Sequence, residues 1–124
     1  MQKAFTSLCQ STAPVRLDGL QVAKMGGFIA LLPIGAQTKL AALAATVVKD
    51  LDPFRAPTSA EELARRRHRP LTPAQERNLE AWGYPFVMDQ FRFHITLTGR
   101  IRGDIAPVIC AILSHFEPYL EKPF

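Results

Sequence analysis

The chain has 124 residues, a net charge of +4, 48% hydrophobic and 21% charged residues, which fits one globular domain with a modest core and excludes a disordered chain. No apolar run approaches the ~20 residues of a membrane span, and the N-terminus lacks the apolar stretch of a signal peptide. Cys9 and Cys110 are too few for a disulfide framework or a zinc site, so we expect a cytoplasmic protein with reduced thiols.

The first half of the chain predicts a helix, a hairpin and a second helix. An apolar stripe in the first dozen residues has helical spacing and predicts the end of a helix. Segments 15–24 and 28–32 flank Gly26 and Gly27 and predict an antiparallel hairpin, with a connection that is not the shortest kind. A second apolar stripe over 40–51 predicts an amphipathic helix that ends before a proline.

Residues 52–90 are predicted to form a helical insert. N-cap patterns that begin at Ser59 and at Thr72 predict two short helices. Between them lies the basic run R-R-R-H-R at 65–69, the only dense cluster of charge in the sequence. Such a run attracts phosphate, nucleic acid or an acidic partner, or it is the solvated last turn of a helix, where cations are favourable. The sequence leaves both interpretations open.

The segment F-R-F-H-I-T-L-T at 91–98 alternates strictly between apolar and polar residues, which predicts a β-strand. Its apolar residues are expected to enter a core: Phe91, Phe93, Ile95 and Leu97. Its polar residues are expected to form a row on the opposite face: Arg92, His94, Thr96 and Thr98.

A last amphipathic helix over 105–116, capped by Asp104, completes the predicted elements. Their order indicates an α+β fold, with helices packed on one face of a small, mainly antiparallel sheet. We interpret residues 1–124 as a single domain that contains the insert at 52–90.

The polar row suits phosphate-ester chemistry. His94 can accept or donate a proton near neutral pH, because the ordinary pKa of histidine is ~6.5. Thr96 can donate a hydrogen bond to a phosphoryl oxygen, and Arg92 and Arg100 can stabilise developing negative charge. The alternative is the solvent-facing side of a half-buried strand, where Thr and Arg are common. Spacing alone favours this alternative, because His-x-Thr is a short and frequent pattern.

The sequence predicts no metal and no cofactor. Its histidines, His68, His94 and His115, do not have the spacing of metal ligands, and the two cysteines add none. A Gly-rich phosphate loop of the Walker or dinucleotide type is also absent from the sequence.

Four segments, spread between residues 26 and 99, carry a resemblance to a known family. They are GGFIALLP at 26–33, LDPFRAP at 51–57, ELARRR at 62–67 and WGYPFVMDQFRFHITLTG at 82–99. The sequence resembles an uncharacterised bacterial family that is often encoded with phosphonate-utilisation genes. That family belongs to the two-histidine (2H) phosphoesterases, which are relatives of the RNA 2′,3′-cyclic phosphodiesterases.

The resemblance implies a site with two His-x-Thr/Ser strands, one from each of two lobes. One histidine acts as general base and the other as general acid, the hydroxyls hold the phosphate, and no metal is needed. By this resemblance His94 is the general acid or base and Thr96 a phosphate ligand. Arg92, Arg55 and Arg67 are weaker candidates for pairing with the phosphate of a cyclic phosphodiester or another small phosphorylated substrate.

The sequence contains only the second His-x-Thr motif of that pattern. Because acid and base act as a unit, we predict little or no phosphodiesterase activity for this chain alone. Three explanations stay open: a fragment of a longer enzyme, a degenerate lobe, or a homodimer that joins two His94 rows. A rival interpretation is a non-catalytic module that binds a phosphorylated ligand or RNA. RNA is less favoured, because Phe91 and Phe93 are predicted to point away from the row.

Overall fold

A computed structural model describes residues 1–120 and 122–123 and shows an α+β fold, which confirms the predicted class. Five α-helices and one three-stranded sheet lie within these residues. The chain divides into two compact units. The helical unit comprises Met1–Val15 and Thr38–Arg92, and the sheet unit comprises Arg16–Gln37 and the described residues from Phe93 onward.

The sheet unit is built on a tight hairpin. Strand β1 (Leu20–Met25) pairs antiparallel with β2 (Phe28–Pro33), and the last residue of β1 is directly opposite the first residue of β2. The connection is therefore the two residues Gly26 and Gly27, and the expectation of a longer connection is wrong. The physical reason lies at Gly26, whose φ of 58° is the left-handed conformation that two-residue hairpin turns need.

The third strand is much shorter than the alternation predicts. Strand β3 covers only Ile95–Thr96 and lies at the edge of the sheet, antiparallel to β2. Ile95, predicted to enter the core, is 42% exposed, so this prediction is wrong. The ladder ends because the Thr98 hydroxyl accepts the hydrogen bond of the Ile29 N–H at 3.0 Å, a place that a strand carbonyl would otherwise take.

Helix α5 (Ala106–Phe116) completes the sheet unit and contacts β1. The N-cap residue of this helix is Ile105, one residue after the predicted Asp104, but the Asp104 carboxylate still accepts a hydrogen bond from the Ala106 N–H at 3.0 Å. Buried apolar residues of the unit lie mainly on and just before the hairpin: Leu17, Leu20, Ile29, Ala30 and Leu31.

The helical unit contains four α-helices, at bounds close to those predicted. They are α1 (Gln2–Ser11), α2 (Thr38–Leu51), α3 (Ala60–Arg66) and α4 (Pro73–Trp82). Helix α4 begins with a capping box in which Thr72 and Gln75 exchange hydrogen bonds, and it ends at Gly83 with a φ of 70°. Among the described residues, none of the helices has both the length and the apolar character needed to cross a membrane.

Candidate functional site

His94 and Thr96 share a face of the sheet unit. Thr96 is directly opposite Ala30 of β2, and alternate residues along a strand point to the same side. Phe28 therefore lies on the same face, and its ring centroid is 6.0 Å from that of His94, with the rings tilted by 39°. Both His94 and Thr96 are exposed. An imidazole and a hydroxyl are thus presented to solvent beside an aromatic side chain.

Arg100 lies at the turn of the same hairpin. The Ile101 N–H donates to the Gly27 carbonyl at 2.8 Å, which holds the chain after β3 against the turn. A Cβ atom on Gly27 would come within 3.1 Å of Arg100 Cγ, so the arginine stem packs where that glycine has no side chain. The Arg100 stem contacts Gly27, and the His94 ring contacts the next residue, Phe28. Arg100 and His94 therefore contact consecutive residues of the hairpin. The sequence suggested Arg100 as a source of charge but carried no signal for its contact with Gly27.

Two other polar residues of the predicted row make local hydrogen bonds. The Thr98 hydroxyl donates to the Gly99 carbonyl at 2.9 Å and accepts from the Ile29 N–H. Both bonds are to backbone groups at the end of the sheet rather than to a ligand. Arg92 Nη1 donates to the carbonyls of Phe91 at 2.8 Å and of Asp89 at 3.4 Å. Arg92 is exposed and ends the helical unit, and its predicted contact with substrate phosphate stays a prediction.

Asn78 of α4 organises the segment at 85–89, which precedes His94 in the chain. Its buried side-chain amide donates to the carbonyl of Val87 at 2.9 Å, to Asp89 Oδ1 at 3.1 Å and to the carbonyl of Pro85 at 3.4 Å. Between these acceptors Met88 has a φ of 53°, a left-handed conformation that is uncommon for a residue with a side chain. One amide thus holds a turn that the local sequence does not favour.

We expect the stability of the protein to fall in acid, partly through Asp89. Hydrogen bonds from the amides of Asn78 and Gln90 hold the pKa of Asp89 below its ordinary value. The stability that this carboxylate contributes is therefore complete above the unfolded pKa of ~3.9 and is lost as the pH falls towards the folded value. Urea unfolding between pH 6 and pH 3 should show a steeper acid loss in the native protein than in Asp89→Asn. Equal pH slopes would contradict this assignment.

Arg55 and Arg67 line one pocket of about 380 Å³ within the helical unit. Its remaining lining residues are Pro57, Thr58, Leu63, Leu79 and Glu80. Arg55 Nε donates to Asp52 Oδ1 at 2.7 Å, and Arg67 Nε donates to Glu76 Oε1 at 2.7 Å. The Glu76 hydrogen bond raises the pKa of Arg67. The structure therefore places these two candidates together, in a different unit from His94 and Thr96.

Two other arginines of the basic run have partners on or near α3. Arg65 and Arg66 both pair with Glu62 of their own helix, as expected for a solvated last turn. The Arg66 guanidinium also lies 4.6 Å from the centroid of the Tyr84 ring. Within the described part of the chain, no three His, Cys, Asp or Glu side chains gather into a group suited to a metal ion.

The family profile described as "Protein of unknown function (DUF1045)" matches residues 1–124. "Ribose 1,5-bisphosphate phosphokinase PhnN" of Janthinobacterium sp. (strain Marseille) is 36% identical over 119 residues, 96% of this chain and 26% of that protein. The protein of the same name from Laribacter hongkongensis (strain HLHK9) is 31% identical over 105 residues, 84% of this chain and 24% of that protein. The chain thus spans about a quarter of the length of these curated relatives. No solved structure matches the chain.

Proposed function

The chain belongs to the DUF1045 family of proteins of unknown function, and from this premise we propose that it forms the His94 lobe of a 2H-type phosphoesterase. The proposed substrate is a cyclic phosphodiester or another small phosphorylated molecule of phosphonate metabolism, and the proposed chemistry uses no metal. The observation that carries the proposal is the shared exposed face of His94 and Thr96, beside Phe28 and the hairpin turn that Arg100 packs against.

The chemistry assigns a role to each of these side chains. In hydrolysis of a cyclic phosphodiester, a bond forms between phosphorus and the water oxygen, and the bond to one ring oxygen breaks. One group removes the proton of the water and another protonates the departing oxygen. His94 serves one of these roles, while the Thr96 hydroxyl donates to a phosphoryl oxygen and Arg100 stabilises the developing charge. The second histidine would come from another His-x-Thr or His-x-Ser strand, which this sequence does not contain.

The names of the relatives support a connection with phosphonate metabolism, but their phosphokinase activity is not proposed for this chain. The 124 residues contain no G-x-x-x-x-G-K-[ST] loop, with which many phosphokinases hold nucleotide phosphates. The aligned region is also only about a quarter of each relative. We therefore propose that this region contributes the phosphoesterase-like part of such proteins.

A second candidate function is binding of a phosphorylated ligand without catalysis. It is favoured by the presence of one His-x-Thr motif, since one histidine cannot act as acid and base in the same step. Under this alternative the His94 face would bind a phosphodiester and leave it unchanged.

The deciding experiment combines NMR titration with a hydrolysis assay on 2′,3′-cyclic AMP. We expect the nucleotide to shift the resonances of His94 and Thr96, and turnover by the chain alone to be very slow. His94→Gln should lower any residual turnover by about 100-fold or more, whereas His68→Gln, in the basic run, should leave it unchanged.

Each outcome separates the candidate functions. Binding at His94 without turnover supports the non-catalytic alternative. Turnover per chain that rises with protein concentration supports a two-fold dimer that joins two His94 faces. Hydrolysis that persists in His94→Gln would remove His94 from the mechanism and overturn the proposed function.

A further inference from the structure

We propose that the pocket of the helical unit lined by Arg55, Thr58, Arg67 and Glu80 binds a small sugar phosphate. The two guanidinium groups and the Thr58 hydroxyl would hold the phosphate, and a sugar hydroxyl would donate to the Glu80 carboxylate. This site shares no residue with the His94 face, so it does not rest on the proposed phosphoesterase activity.

Both guanidinium groups are held in place by carboxylates before any ligand binds. Asp52 and Glu76 each accept a hydrogen bond from the Nε of one arginine, at 2.7 Å in both cases. Arg67 Nη2 also donates to Glu76, and Arg55 Nη1 donates to Thr58. A guanidinium has five N–H donors, so each arginine keeps further terminal N–H donors for an anion. Since these side chains are already ordered, a phosphate would bind them at a reduced entropic cost.

Thr58 is oriented by the same network. Arg55 Nη1 donates to the Thr58 Oγ1 atom at 3.0 Å, so the hydroxyl oxygen is an acceptor in that bond. Its own O–H is then available to donate to a phosphate oxygen that lies beside Arg55. Two cations and one hydroxyl donor at a single pocket are a suitable set for a phosphate monoester.

Glu80 indicates that the ligand carries hydroxyl groups as well as phosphate. A carboxylate on the pocket wall repels the phosphate group of any ligand, and a neutral hydroxyl that donates to this carboxylate would offset the repulsion. The distance of 3.8 Å from Arg67 Nη2 to Glu80 Oε1 is too long for a hydrogen bond, so this oxygen keeps capacity to accept from a ligand. A sugar hydroxyl is the neutral donor that suits this oxygen.

The size and remaining walls of the pocket agree with such a ligand. A volume of about 380 Å³ is at the lower end of the range of ~300–1,000 Å³ for small-molecule sites. Pro57, Leu63 and Leu79 supply apolar walls, against which the carbon face of a sugar ring can pack. Inorganic phosphate would leave most of this volume unfilled.

Calorimetric titration with ribose 5-phosphate tests the proposal, with inorganic phosphate and ribose as comparison ligands at the same ionic strength. We expect ribose 5-phosphate to bind more tightly than either. Arg55→Gln and Arg67→Gln should each weaken binding by about tenfold or more. Arg69→Gln removes the same charge from the same basic run outside the pocket, and it should leave affinity unchanged.

Two further variants keep the test decisive. Arg67→Lys retains the charge but not the planar donor group, so it should also weaken binding. This variant replaces Arg67→Gln in the test if Arg67→Gln does not fold. Glu80→Gln should reduce the preference for ribose 5-phosphate over inorganic phosphate.

The following results would overturn the proposal. One is a failure of ribose 5-phosphate to bind at millimolar concentration. Another is an Arg69→Gln variant that weakens binding as much as Arg67→Gln, which would indicate unspecific charge attraction. Loss of binding in His94→Gln would place the ligand elsewhere. An inactive His94 site with intact ribose 5-phosphate binding would reject the proposed function and support this pocket.

Discussion

Replacement of Asn78 by aspartate is expected to lower the free energy of unfolding by about 3 kcal/mol or more. The Asn78 amide donates to the carbonyls of Pro85 and Val87 and to the Asp89 carboxylate. A carboxylate at this position would direct a buried negative charge at two carbonyl oxygens and at a second carboxylate. It would also leave the left-handed turn at Met88 without the donor that holds it.

Urea unfolding followed by the fluorescence of Trp82, the single tryptophan, measures this effect. Asn78→Leu removes the donors without adding a charge, so we expect an intermediate loss of about 1–3 kcal/mol. Arg77→Ala changes the exposed neighbour on the same helix and should stay within about 0.5 kcal/mol of the native protein. If Asn78→Asp were as stable as Arg77→Ala, the proposed role of the amide would be wrong.

Gly83→Ala is expected to affect both stability and the pocket of the helical unit. At a φ of 70° the backbone cost of alanine is about 1–2 kcal/mol. The added Cβ would lie 2.7 Å from Thr58 Oγ1 and 2.8 Å from Arg55 Nη1, so both side chains must move. We therefore expect weaker binding of ribose 5-phosphate in addition to a lower free energy of unfolding.

Two other glycines separate these effects. Gly26 has a φ of 58° and open space around its Cβ position, so Gly26→Ala should show the backbone cost without a change in ligand affinity. Gly99 has open space and no left-handed conformation, so Gly99→Ala should be nearly neutral. Equal ribose 5-phosphate affinities in Gly83→Ala and Gly26→Ala would show that the contacts of Gly83 do not shape the pocket.

The resemblance to a family indicated more about function than the spacing of His94 and Thr96 did. His-x-Thr alone did not distinguish a catalytic row from an ordinary polar face, because Thr and Arg are common on both. The resemblance over four segments indicated a phosphonate-associated family, and the match to DUF1045 with relatives named PhnN supports it. The 2H mechanism and the roles of His94 and Thr96 stay predictions that the titration and assay will test.

The sequence by itself determined the elements that depend on neighbours in the chain. Thr72, Gln75 and Gly83 correctly predicted both ends of α4, because N-caps and left-handed C-caps act within a few residues. The apolar stripe of α2 and the glycine pair of the hairpin were equally local signals. They also sufficed for the α+β class.

Only the tertiary structure decided features that depend on residues far apart in the sequence. The alternation at 91–98 predicted eight strand residues, but β3 has two, and the Thr98 hydroxyl occupies the Ile29 N–H just beyond its C-terminal end. The Arg55–Arg67 pocket likewise requires segments on either side of α3 to meet near the end of α4. The spacing of apolar residues along the chain indicates which face of an element is buried. Which residues pack against that face depends on segments that are distant in the sequence.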